Sequence, residues 1–129
     1  MKIETTILKN LLQNEDYARK VLPFLNDEYF TENSDKIIYN QINNFILKYN
    51  SLPNKEALNI ELSEAKITEE DFKESINLIN EIGKDDQEFS DLSWLLDSTE
   101  KFCQDKAIYN AVVESISILD NPKSTTDKG

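Results

Sequence analysis

The sequence predicts an all-α protein: a small globular head of about five short helices, followed by one long helix. Three observations carry that prediction. No segment alternates apolar and polar residues as a strand does, and β-branched runs bounded by glycine turns are missing. Apolar residues instead recur three and four apart in successive stretches. Finally, the stretch from about Asp91 to Asp120 contains neither Gly nor Pro. Nothing there interrupts roughly eight helical turns at ~3.6 residues each.

The first helix, Met1 to Gln13, carries a stripe of Ile3, Ile7, Leu8, Leu11 and Leu12, with Lys2, Glu4, Lys9 and Asn10 outside it. Asn14 offers a cap for a second, short helix, and Glu15 and Asp16 suit the positive end of that helix. Pro23 turns Leu22 away from helical angles, so the helix should finish near Leu22. Phe24 to Asn33 mixes aromatics with turn formers and reads as an ordered connection, with Tyr29 and Phe30 tucked under the next helix. Ser34 or Asn33 should cap a third helix from Asp35 to about Tyr49, facing inward with Ile38, Ile42, Phe45, Ile46 and Tyr49.

Asn50-Ser51-Leu52-Pro53 ends that helix, and Asn54 caps a fourth through Leu58 and Leu62. Thr68-Glu69-Glu70-Asp71 is a capping-box pattern, and Ile67 can staple onto Phe72. Phe72, Ile76, Ile79 and Ile82 give the fifth helix its stripe, and Gly83 stands where a left-handed C-cap is expected. Lys84 to Asp91 is an acidic loop. Asn121 to Gly129 begins with Asn-Pro and is a polar tail or truncated linker. The division is therefore a head over 1–90, a long helix over 91–120 and a tail over 121–129.

The long helix changes character halfway. Its first half has one stripe, Leu92, Leu95, Leu96, Phe102 and Cys103. At ~100° per residue, its second half puts Ala107, Ala111 and Ile118 on one side, Ile108, Val112 and Leu119 on the next, and Tyr109, Val113 and Ile116 beyond. Only Asn110, Glu114 and Ser117 form a polar strip, so the apolar arc covers roughly 240°, against the ~100° that one core requires. That width reads as an association element; a central helix fully wrapped by its own chain is the alternative. Trp94, the single tryptophan, either anchors the helix to the head or contacts a partner.

Composition narrows the chemistry. A chain of 129 residues fits one domain with an adequate core. With no histidine, imidazole bases, Ser-His-Asp systems and imidazole zinc sites are excluded. Gly83 and Gly129 are the only glycines, which leaves no phosphate-cradling loop. A net charge of −11 with one arginine, Arg19, argues against direct DNA contact and for basic partners. The clusters Glu69-Glu70-Asp71 and Asp85-Asp86 with Glu88 lack the spacing of a calcium loop. The lone Cys103 lies on the apolar stripe and reads as a small core residue in a reducing, intracellular setting. No apolar run approaches a membrane span, and the N-terminus does not have the form of a signal peptide. No catalytic, cofactor-binding or metal-binding residues are expected in this chain.

The runs TTILKNLLQNEDYARKVLPFLNDEYF, DKIIYNQINNFILKYNSLPNKEALNIEL and SWLLDSTEKFCQDKAIYNAVVESI, in that order, resemble the N-terminal domain of DnaB-type hexameric replicative helicases, particularly those of T-even-like bacteriophages. The resemblance runs from about Thr5 to Ile118. It implies a helical head and a long helical hairpin, with hairpins of neighbouring subunits paired in a collar above the motor ring. It also implies contacts with primase and a helicase loader. The long helix would be the first arm of that hairpin, its interface formed by Ala107, Ile108, Val112, Val113, Ile116 and Leu119, with Trp94 as a further contact. The second arm and the RecA-like motor have no counterpart here, so ATP, Mg²⁺ and helicase activity would belong to a parent protein, in the host cytoplasm if phage-encoded. The competing expectation is a free-standing acidic helical adaptor or inhibitor that covers a basic surface.

Overall fold

The computed structural model describes residues 2–84 and 91–120, the side chains of Leu119 and Asp120 excepted. It is all-α. The helices are α1 (Ile3–Gln13), α2 (Glu15–Val21), α3 (Asn33–Tyr49), α4 (Lys55–Ser63), α5 (Glu69–Ile82) and α6 (Leu92–Asp120), with 3-10 turns at Leu22–Phe24 and Asp27–Tyr29 between α2 and α3. Among the described residues there is no strand. Most of the acidic loop and the whole polar tail lie outside the described residues.

Side-chain caps set several of the starts. Asn14 accepts from the Tyr17 amide at 3.0 Å, Asn54 from Ala57 at 2.7 Å and Thr68 from Asp71 at 3.1 Å. Each satisfies one of the amides a helix leaves unpaired at its N-terminus. Asp91 does the same for α6, accepting from Trp94 at 3.0 Å. Asn50 ends α3 in the left-handed region, φ 54°, held there by Arg19, whose guanidinium reaches its carbonyl at 3.2 Å.

α1 is the pillar of the head. It packs against α2, α3, α5 and α6, and Ile7, Leu8 and Leu11 are fully buried. α3 lies across α5 and α4, contributing Ile38 and Ile42 to the same core, and Leu58, Leu62, Ile79 and Ile82 close it. Phe30, from the connection, stacks on Tyr39 at 5.4 Å and meets Phe102 in a tilted contact at 5.7 Å, tying α3 to α6. The Tyr39 hydroxyl donates to the Leu25 carbonyl at 3.1 Å, so the connection is pinned at both ends.

Five expectations need correction. Leu22, before Pro23, keeps helical angles (φ −54°, ψ −37°), because a 3-10 turn carries the chain on through Leu22–Phe24. α3 begins at Asn33, with Glu32 at the cap position and no side-chain cap bond, so neither Ser34 nor Asn33 caps it. Lys9 is buried despite lying off the α1 stripe, because α1 is enclosed on several sides. Tyr49 is exposed: it stacks on Phe45 at the open end of α3, and buried Tyr39 takes the inward role. Gly83 has φ −84°, not a left-handed value. The last carbonyls of α5 are satisfied by a distant side chain: Gln13 donates to Ile82 at 2.8 Å and to Lys84 at 3.2 Å. What Gly83 supplies is space, since an added methyl would meet the Ile79 carbonyl oxygen at 2.8 Å and the Lys55 stem at 3.2 Å.

Candidate protein interface

The first half of α6 is part of the head. It lies against α1, α2 and the Asp27–Tyr29 turn, burying Leu95, Thr99, Phe102 and Cys103. Thr99 donates to the Leu95 carbonyl at 2.7 Å, so its oxygen accepts the Tyr17 hydroxyl at 2.6 Å. This buried pair was not anticipated from sequence, where Thr99 interrupts the apolar stripe. Burial raises the Tyr17 hydroxyl pKa, with the Thr99 bond opposing, and it raises Tyr39 likewise. Burial also pushes the Cys103 thiol up to about 11. These groups are held protonated and packed, as structural residues are.

Beyond Cys103 the helix leaves the head. Its last ties are Lys106 to the Thr31 hydroxyl at 3.5 Å and Asn110 to the Glu28 carbonyl at 3.1 Å. From Ala111 to Ile118 every residue is exposed. Ten residues follow Asn110 in the helix, a projection of about 15 Å at ~1.5 Å per residue.

The direction of the apolar arc is the main finding. Projected at ~100° per residue, Leu92, Leu95, Leu96, Thr99, Phe102 and Cys103 share one face, and the strip of Asn110, Glu114 and Ser117 continues that same face to within about 25°. The hydrogen bond from Asn110 to the head agrees. The Ile108, Val112 and Ile116 part of the arc therefore points roughly 145° away from the core-facing side, while Val113 keeps the direction of Leu95 and Tyr109 lies near that of Phe102. The apolar surface widens along one helix from a core-facing stripe to an arc reaching the opposite side, and the helix as a whole has almost no net amphipathicity. Its Ile108, Val112 and Ile116 side is aimed away from the head.

The structure places the expected interface residues as follows. Ile108, Val112, Val113 and Ile116 expose 46–64% of their surface, and Ala107 is exposed beside them. None of the described residues wraps the helix over 111–118. Leu119 is within the helix, but its side chain lies outside the described residues. Trp94 is 52% exposed, so it does not anchor α6 to the head. It is eighteen residues before Val112, about 27 Å along the axis, with Lys101 and Asp105 between on that face, and it forms no continuous surface with the arc.

Tyr109 and Ile118, equally exposed, complete the arc and were absent from the expected interface set although the same projection contains them. The edge of Ala107 and Ala111 runs into an open groove of about 490 Å³ lined by Phe24, Tyr29, Glu100, Cys103 and Gln104. Contacts across 71 residues or more build that groove, so no local signal marked it.

This arrangement buries apolar surface when a partner is present. Six large side chains about half exposed represent on the order of 10 kcal/mol of gross burial energy per copy, at ~25 cal/mol per Å². Association costs of roughly 4–15 kcal/mol oppose it. Among the described residues, no group of three His, Cys, Asp or Glu stands close enough to hold a metal ion, and no helix is long and apolar enough to cross a membrane.

Comparison with known proteins finds similarity to the DnaB-like replicative helicase of enterobacteria phage T4: 31% identity over 122 residues, which is 95% of this chain. The chain spans 25% of that protein's length. No family model matches the sequence.

Proposed function

Since this chain is related to the DnaB-like replicative helicases through one segment of such a protein, we propose that it serves as the N-terminal collar of a phage replicative helicase. In this reading the outward half of α6 is the first arm of a helical hairpin, and it joins neighbouring subunits through Ile108, Tyr109, Val112, Val113, Ile116 and Ile118. The head docks primase or a helicase loader. Unwinding, with its ATP and Mg²⁺, belongs to the rest of the parent protein, in the host cytoplasm. The collar performs no chemistry of its own.

The observation that supports the reading is the spread of the apolar face along α6 to the side opposite the head. A helix that only served the head would keep its apolar residues on the Leu95 side to its end. Here Ile108, Val112 and Ile116 lie on the opposite side of the helix and are about half exposed, within reach of a neighbouring helix or another copy. Sedimentation velocity across a concentration series tests it. The wild-type chain is expected to self-associate, and Val112→Asp with Ile116→Asp to leave a monomer with an unchanged circular-dichroism melt. A monomer at every concentration, with primase capture indifferent to the double variant, would refute the association role.

The net charge of −11 favours one second reading, a free-standing acidic adaptor that occupies a basic surface. That protein would bind its partner through the head with strong salt dependence, and the outward face of α6 would be dispensable.

A further inference from the structure

A second surface lies on the head, independent of α6. The start of α1, the start of α3 and one edge of α5 enclose an open cleft of about 460 Å³. Its rim carries Glu32, Glu74 and Glu81, all exposed, with Lys2 as the one cation. Asp35 lies on its floor, 3% exposed, and its Oδ2 has no hydrogen-bond partner. Among the described residues none of these four carboxylates has an ion-pair partner; Arg19 pairs with Glu15 and Lys73 with Glu69.

Position explains part of this. Asp35 is in the first turn of α3, where the helix dipole favours an anion. The dipole does not explain why one carboxylate oxygen, Oδ2, is buried without a donor, a cost that folded proteins ordinarily avoid. Burial raises the Asp35 carboxyl pKa, Lys2 opposes that rise, and Glu4, Glu32 and Glu81 add to it. The cleft as folded is short of positive charge.

We propose that this cleft receives an arginine side chain from a partner protein, its guanidinium entering between Glu32 and the Glu74–Glu81 edge of α5 and ending against Asp35. A guanidinium carries five donors in a planar fork and can engage carboxylates on separate walls. A bare metal ion fits less well, because these carboxylates do not converge on one point. The chain's own single arginine is committed elsewhere: Arg19 bonds Glu15 at 3.0 Å and the Asn50 carbonyl at 3.2 Å. No arginine of this sequence is therefore free to enter the cleft. The chain's charge of −11 draws basic segments towards it over long range.

The test is a titration of the ¹⁵N-labelled chain with the peptide acetyl-Ala-Arg-Ala-amide, beside its lysine counterpart and MgCl₂. Saturable shifts are expected at the amides of 32–36 and 74–81 with the arginine peptide, weakened about tenfold in Asp35→Asn, as the loss of a charge-assisted bond implies. Glu74→Gln with Glu81→Gln keeps Asp35 and removes two wall charges; it is expected to weaken binding about threefold or more, and it decides the matter if Asp35→Asn does not fold. Shifts spread over the whole acidic surface, equal binding by the lysine peptide, unchanged binding by the variants, or Mg²⁺ occupying the cleft in preference would each overturn the proposal.

Discussion

The two halves of α6 are one continuous helix with opposite physical lives. From Leu92 to Cys103 its apolar residues other than Trp94 face the head, and Leu95 has no exposed surface. From Ala107 to Ile118 its apolar residues are just as large, yet half of each is in water. The difference is one of direction for Ile108, Val112 and Ile116, and one of reach for Val113, which keeps the Leu95 direction but lies where α6 has passed the head. A helix has no means of rotating its own side chains mid-course, so the face that meets the head is fixed by its first buried turns. The chain then changed which positions along the helix carry the apolar residues. A side chain in the first half contributes to folding; one in the second half contributes only when something else arrives.

Deleting equivalent bulk from the two halves should break this contrast most sharply. Leu95→Ala empties a fully buried site and is expected to cost roughly 2–5 kcal/mol in urea unfolding. Ile116→Ala, measured where the chain is monomeric, is expected to stay within about 0.5 kcal/mol, as exposed substitutions do. Comparable costs would mean that the outward half is covered by the head in solution, and the association reading would fail.

A polar pair gives a finer comparison, because each half contains the same local bond in a different environment. Thr99 donates to the carbonyl four residues earlier at 2.7 Å, buried, and Ser115 does so at 2.9 Å, exposed. Thr99→Val should cost roughly 1–3 kcal/mol, since it leaves the buried Tyr17 hydroxyl without its partner. Ser115→Ala replaces a bond that water also offers, and no resolvable change in denaturation midpoint is expected.

How far these features could be read from sequence follows their range along the chain. The caps at Asn14, Asn54 and Thr68 were legible because donor and acceptor are three residues apart. The width of the arc was legible because it needs only a rotation per residue. Its direction required the core-facing side, which packing of α6 on α1 and α2 decides. Gly83 was misread because the side chain that closes α5, Gln13, lies 69 residues from Ile82. Asp35 looked like an ordinary first-turn acid, and its burial depends on α1 and α5 closing over it. Gly83→Ala checks this account: the added methyl is expected to destabilise the head by about 1 kcal/mol or more in thermal melts, the reverse of the usual gain at a compatible glycine.

The smallest expected effect concerns the boundary between the halves. Asn110 makes an exposed bond of 3.1 Å to the Glu28 carbonyl, near the point where α6 leaves the head. Its loss in Asn110→Ala should cost about 0.5 kcal/mol or less, near the limit of a melt. Hydrogen exchange reads it better. A ten-residue helix cannot hold itself and persists only as an extension of the packed turns before it. Amides after residue 110 should exchange fast in the monomer and those up to 103 slowly, with the border moving back towards Cys103 in the variant. Self-association should erase the border altogether, because protection would then reach Ile118 from the partner's side. A border that stays in place on association would show that the copies meet somewhere other than the outward half of α6.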